Sequence, residues 1–253
     1  MAKIFITGSA DGLGQLTAKA LIKNGHEVVL HARNQQRAEQ AMAEAPGAKE
    51  VLIADLSSIE ETKALANQTN ALGTFDAVIL NAGVYQVPSN ALGHEGLPLL
   101  LTVNSLAPYI LTCLMKKPSR LIYLSSDMHR QGNPNKFNLI AGDTNLSENY
   151  TYSDTKLHDL MLALTVARLW PDVLSNAVDP GWVPTKMGGK GAPDDLKKGY
   201  ETQVWLASSA DAQVSGQYFH HKKETNFLNE AANTEFQDKY LTFCAHLTGV
   251  NFI

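Results

Sequence analysis

Short β-branched or aliphatic runs alternate with longer amphipathic stretches from the first residues onward, and this alternation restricts the possible folds more than any single motif does. Lys3–Thr7 reads as a strand, followed by a helical stretch Leu13–Asn24 that stops at Gly25. Glu27–His31 and Val51–Ala54 read as strands in the same way, followed by helices over Gln35–Ala45 and Ser57–Ala71. Phe75–Leu80 and Arg120–Leu124 read as buried strands on either side of a helix at Pro98–Met115, and a helix Tyr152–Leu169 precedes a strand near Val173–Val178. A final strand near Gly216–His220 leads into a C-terminal helix and an aromatic-rich tail. Strand followed by helix, repeated, requires crossover connections, and these are right-handed. The expectation is an α/β fold: a doubly wound parallel sheet, or Rossmann fold, with helices on both faces.

Of the 253 residues, 44% are apolar and 18% charged, enough to bury a sizeable core and too few charges for a disordered chain. A formal charge of −4 gives no basic field for a polyphosphate backbone, so no nucleic-acid partner is expected. The longest apolar tract, Leu97 to Met115, is broken by Pro98, Asn104 and Pro108, and no membrane span is expected. Cys113 and Cys244 lie far apart in apolar surroundings and read as core residues, with a single disulfide between them left open. Such sparse use fits a reducing compartment, and Met1-Ala2-Lys3 runs straight into a strand, so the expected location is cytoplasmic. His220-His221 carries no metal expectation, because neighbouring residues on a strand point to opposite faces.

Residues 1–253 therefore read as a single domain, with irregular segments at 127–150 and 181–198. Doubly wound sheets bind ligands outside the carboxyl ends of their strands, where both segments would emerge, so they are the expected substrate loops. Gly188, Gly189 and Gly191 give the second segment the backbone freedom of a lid.

Thr7-Gly8-Ser9-Ala10-Asp11-Gly12-Leu13-Gly14 closes the first strand and opens the first helix. A missing Cβ lets the backbone turn sharply and lets a pyrophosphate approach the positive end of the helix. At the end of the second strand a dinucleotide with a free ribose 2′-hydroxyl is normally held by an acidic residue, and a 2′-phosphate by Arg. This chain has His31-Ala32-Arg33-Asn34, so NADP(H) is expected in preference to NAD(H). Arg33 would grip the phosphate, Ser9 would add a hydroxyl and Arg37 a second cation, while Asp11 brings an opposing charge. Asp55 could accept from the adenine amino group, but 55–61 is also a helix start in which Ser57/Glu60 or Ser58/Glu61 has capping-box spacing. Asn81-Ala82-Gly83 is a small turn expected beneath the adenosine.

Tyr152 and Lys156 are four apart, a spacing that puts both on one helix face. A phenol ionises near pH ~10, so proton exchange near neutrality calls for an adjacent cation, which Lys156 supplies. With Ser125-Ser126 upstream, the pattern points to hydride transfer to or from a carbonyl. Together with the glycine turn, Asp55, Asn81-Ala82-Gly83, Asn104 and Asp179-Pro180-Gly181 through Thr185, these residues resemble the short-chain dehydrogenase/reductase family from residue 3 to about 221. The long gap from Ser126 to Tyr152 is closest to its retinol-dehydrogenase-like and protochlorophyllide-reductase-like branch.

That resemblance implies Tyr152 as general acid or base, Lys156 lowering its pKa and binding the nicotinamide ribose, and Ser126 holding the carbonyl oxygen. It implies Asn104 as the anchor of a relay water and Thr185 as the carboxamide contact, with Leu13, Leu56, Ala82, Pro180, Gly181 and Val183 also lining the cofactor. Tyr85, Met128, Trp182 and Met187 suggest an apolar or aromatic carbonyl or alcohol as the small-molecule substrate; His129 could line the same cleft or sit in solvent. The competing reading is a non-catalytic NADP(H) sensor of the same fold, against which the intact Tyr152, Lys156 and Ser126 argue. A nucleotide-sugar epimerase usually needs a longer C-terminal substrate domain than the residues after Asp179 provide. Family members commonly pair through the helices at 98–115 and 152–169, so homodimer, homotetramer and monomer all stay open.

Overall fold

The computed structural model describes residues 1–137 and 150–253; most of the 127–150 segment read as a substrate loop therefore lies outside the described residues. Seven parallel strands and one short antiparallel strand form a single sheet in the order β3-β2-β1-β4-β5-β6-β7-β8. The strands are β1 (Lys3–Ile6), β2 (Glu27–Ala32), β3 (Glu50–Ile53), β4 (Ala77–Leu80), β5 (Arg120–Leu124), β6 (Leu174–Asp179), β7 (Gln217–His220) and β8 (Lys223–Glu224). Strand order reverses between β1 and β4, and this opens a crevice at their carboxyl ends.

Side chains along each strand divide between two cores. Phe5, Val29, Val78 and Tyr123 pack on one face, and Ile4, Ile6, Val28, Leu30, Ile79 and Ile122 on the other. This is the two-residue period of a strand that is buried on both sides. The first face is covered by α3 (Ile59–Ala71), α4 (Leu99–Leu101), α5 (Ala107–Leu114), α6 (Tyr152–Leu169) and α8 (Thr234–Thr248). The second is covered by α1 (Gly12–Lys23), α2 (Gln35–Glu44) and α7 (Leu196–Ser208). The sequence reading did not place α7, nor β8, which turns back through His221 and Lys222, both at positive φ.

The helix expected over 98–115 is interrupted. Thr102–Leu106 forms a π turn joining α4 to α5. Pro108 has no N–H to give the carbonyl of Asn104 four residues earlier, so an unbroken α-helix cannot close there.

α6 is buried from Ser153 to Val166, on every side. Its outer flank, expected as a subunit-pairing surface, is covered by α8: the Tyr240 ring lies 4.9 Å from His158, and Arg168 binds Gln237 and Asp238. The segment after α8 completes the cover, with Val250 accepting from Tyr109 Oη and Ile253 from Trp170 Nε1. Cys113 and Cys244 are both free, which closes the disulfide question in favour of two thiols. Among the described residues no helix is long and apolar enough to cross a membrane, and no cluster of residues could hold a metal ion.

Candidate active site

Two of the three glycines after β1 are required by close contacts. Gly8 has φ +63°, and a Cβ there would lie 2.8 Å from the Ala82 Cα. Gly14 lies in the first turn of α1, where a Cβ would sit 2.5 Å from the Gly8 carbonyl and against Nδ2 of Asn81. Gly12, at φ +53°, has nothing closer than Thr185, 4.0 Å from the position its Cβ would take. Asp11 caps α1 through the Gly12 N–H at 2.7 Å, while the N–H groups of Leu13 and Gly14 have no helical acceptor. A bare glycine cradle with free N–H groups at a helix start fits a dinucleotide pyrophosphate.

Two residues expected to touch the cofactor turn out to hold this cradle together. Asn81 donates from Nδ2 to the carbonyls of Thr7 and Gly8, and Thr7 Oγ1 accepts from the N–H groups of Asn81 and Ala82. Ser9, expected to add a hydroxyl at the phosphate, is fully buried: its Oγ donates to the Ile6 carbonyl and accepts from the His31 N–H. The sequence reading missed His31. Its Nδ1 accepts from the Gly8 N–H at 2.9 Å, which puts the ring proton on Nε2, facing the Ala54 carbonyl at 3.0 Å. Burial lowers the imidazole pKa to about 4, outweighing the opposite pull of Ala54 and Asp55. A polar residue inside the apolar run 28–32 was the available signal.

At the end of β2, Ala32 is buried, so Arg33 is the residue that reaches outward, with no hydrogen bond or ion pair among the described residues. Arg37 binds Asp11 at 3.0 Å. Lys186 reaches Asp11 at 2.6 Å from the segment after β6. Partial burial acts to raise the Asp11 carboxyl, but the bonds from Lys186, Arg37 and the Gly12 N–H outweigh it and hold the group below its ordinary range.

Asp55 Oδ1 accepts from both the N–H and the hydroxyl of Ser57, and Leu56 is a core side chain. Ser58 caps α3 through the Glu61 N–H, but the Glu61 carboxylate reaches the Asp55 N–H, so the reciprocal box is not formed.

β5 delivers Ser125 and Ser126 beside α6. Ser125 Oγ donates to the Lys156 carbonyl at 2.7 Å, whereas Ser126 is partly exposed and caps the short 3-10 turn Asp127–Gln131 by accepting from the Met128 N–H. His129 is neither solvated nor lining the cleft. It is buried, with Nε2 accepting from the Leu228 N–H and Nδ1 therefore donating to the Ser126 carbonyl at 2.7 Å.

Tyr152 opens α6, where Thr151 and Asp154 form a reciprocal capping box. The Lys156 ammonium lies 5.4 Å from the Tyr152 ring centre, and the ring of Tyr85 meets Tyr152 edge-on at 4.6 Å. Burial raises the Tyr152 pKa; the Lys156 charge acts downward without reversing that, and Asp159 and Asp179 add to the rise. The Asn104 amide is used up in holding the neighbouring loop: Oδ1 accepts from the Val84 N–H, and Nδ2 donates to Val84 O and Thr155 Oγ1. A water anchored at this residue would use the main-chain carbonyl that Pro108 leaves without its α-helical partner.

After β6, Asp179 accepts from the Gly181 N–H and pairs with His220 at 2.9 Å, which fixes the Pro180-Gly181 turn. Val183 is buried, and Thr185 lies over Gly12. The expected lid is tied back on itself: Trp182 and Asp194 exchange two bonds, and Trp182 Nε1 donates to Gly188. Trp182 and Met187 project into solvent beside it.

A family model described as short chain dehydrogenase matches residues 2–195. The chain is 42% identical over 255 residues to the short-chain dehydrogenase chyC of Penicillium rubens, covering 99% of this chain and 98% of that one. It is 27% identical to human retinol dehydrogenase 14, over 90% of this chain and 80% of the relative. The Pseudomonas aeruginosa RhlG/NADP complex superposes with a TM-score of 0.67 at 20% identity, covering 86% of this chain and 93% of that one.

Proposed function

The chain belongs to the short-chain dehydrogenase family, with retinol-dehydrogenase-like relatives, and is an oxidoreductase of that family; we propose that it acts with NADP(H) on the carbonyl or alcohol of an apolar or aromatic small molecule. The observation that carries this reading is the Lys156 ammonium, 5.4 Å from the Tyr152 ring centre and bound to the Leu124 carbonyl at the end of β5, two residues before Ser126.

Bound NADP(H) supplies or takes up the hydride. The chain's part is to place and protonate the oxygen. Ser126 Oγ, partly exposed at the end of β5, donates to the substrate oxygen as negative charge builds on it. Tyr152 Oη gives its proton to that oxygen in reduction and takes it back in oxidation. Lys156 keeps the phenol's proton exchangeable and presents a donor to the nicotinamide ribose. Arg33 favours the 2′-phosphorylated cofactor, and the neutralising of Asp11 by Arg37 and Lys186 removes the nearby charge that would oppose it. Tyr85, edge-on to Tyr152, gives the phenol an aromatic neighbour, and the exposed Trp182 and Met187 after β6 are further apolar groups open to a substrate.

Replacing Tyr152 by Phe tests the assignment. Turnover of a carbonyl panel with NADPH should fall by about 10²–10⁴ or more while NADPH affinity stays near that of the parent. Equal turnover by the variant would remove Tyr152 from the chemistry.

A further inference from the structure

Lys156 is bound by a residue outside the motif that the family resemblance carries over. Its Nζ donates to the Leu124 carbonyl at 2.7 Å and to Asp159 Oδ2 at 2.7 Å, and both charged side chains are almost wholly buried. An ammonium has three protons, so one is left for a ligand or a hydroxyl. Asp159 follows Lys156 by three residues on α6, and among the described residues Lys156 is its one hydrogen-bond partner. A buried carboxylate is costly unless paired, and an apolar residue would pack this core without that cost.

We propose that Asp159 is a positioning residue of the active site: with the Leu124 carbonyl it fixes the Lys156 ammonium, and its charge offsets part of the field Lys156 exerts on Tyr152, keeping the phenol protonated. This rests on Tyr152 being the proton donor. The electrostatics agree with the geometry. Burial would lower the Lys156 pKa, but the charge of Asp159, that of Tyr152 and the hydrogen bond to Asp159 together outweigh it and hold the ammonium above its ordinary value. Burial pushes the Asp159 carboxyl up to about 6, and the charge and hydrogen bond of Lys156 act against that rise. Asp159 also faces two buried phenols, Tyr123 of β5 and Tyr240 of α8, and raises both further. Asp179 of β6 and Tyr85 add to the upward push on Tyr152.

Asp159→Asn keeps an acceptor for Lys156 and removes the charge. The pH profiles of carbonyl reduction and of alcohol oxidation with NADP(H) are the readout. The alkaline limb of reduction and the acid limb of oxidation should both move to lower pH by about one unit or more. A variant whose melting temperature changes while both limbs stay in place would reduce Asp159 to a structural residue and overturn the proposal. Should this variant not fold, ultraviolet difference titration of the parent against Tyr152→Phe reads the same quantity. The parent should show no additional phenolate below about pH 9, and an additional phenolate at pH 7–8 would mean that Lys156 acts unopposed. Tyr152→Phe with full turnover sinks the catalytic reading itself; an inactive Tyr152→Phe beside unmoved Asp159→Asn limbs sinks only the role of Asp159.

Discussion

Replacing His31 by leucine takes an acceptor from the Gly8 N–H and a donor from the Ala54 carbonyl, and so breaks the link that ties the glycine turn to the ends of β2 and β3. Leaving the buried Ala54 carbonyl unpaired costs roughly 1–3 kcal/mol and the half-buried Gly8 N–H less, so the two together cost about 2–4 kcal/mol, less whatever the leucine gains in packing. That is a large part of the ~5–15 kcal/mol that holds a domain together. The pH dependence is distinctive. His31 titrates at about 4 in the folded protein, below its ordinary 6.5, because burial disfavours the charged ring. A depressed pKa contributes stability that is complete above the unfolded value and is lost as the pH falls towards the folded one. Each unit of pH in that window is worth about 1.4 kcal/mol, so from 6.5 to 5 the parent loses about 2 kcal/mol that the leucine variant does not have to lose. His158 and Asp159 titrate in the same range but are common to both proteins and cancel. Urea unfolding at pH 7 and pH 5 measures the gap between the two. It should be several kcal/mol at pH 7 and narrower by about 2 kcal/mol at pH 5. A gap that does not change with pH, or one under about 0.5 kcal/mol at pH 7, would refute the reasoning.

Gly14→Ala should cost NADPH affinity at least about ten-fold and destabilise the fold by about 1–3 kcal/mol, since its Cβ would meet the Gly8 carbonyl, a backbone atom that cannot swing aside; fluorescence titration and thermal melts check both. Arg33→Ala should weaken NADPH about ten-fold and leave NADH unchanged, and an unaltered ratio of the two affinities would assign the phosphate to Arg37 or Lys186. Because α8 covers α6, light scattering behind a sizing column should return the 27.5 kDa mass of one chain, and twice that mass would mean that pairing uses another surface.

Much of this was legible along the chain because it is local. Strand and helix periodicity placed Arg120–Leu124 and Tyr152–Leu169 to the residue, and the glycine spacing announced a close-approach turn. Turn and helix chemistry follow from neighbours within a few positions, so residue type and spacing carry the information. Roles that depend on distant partners were not legible. Ser9 and Asn81 look like cofactor ligands in sequence, yet the Ser9 hydroxyl is committed to Ile6 and His31, and the Asn81 Nδ2 to Thr7 and Gly8.

The sequence by itself determined the doubly wound topology, the glycine cradle and the Tyr152/Lys156 pair, since short-range periodicity and backbone sterics act before the chain meets itself. Only the tertiary structure decided that His31 anchors the cradle, that Lys186 reaches Asp11 across 175 residues of chain, and that α8 seals α6. Charge sharing and burial depend on distances through space, and those are set when remote segments pack together, not by their order along the backbone.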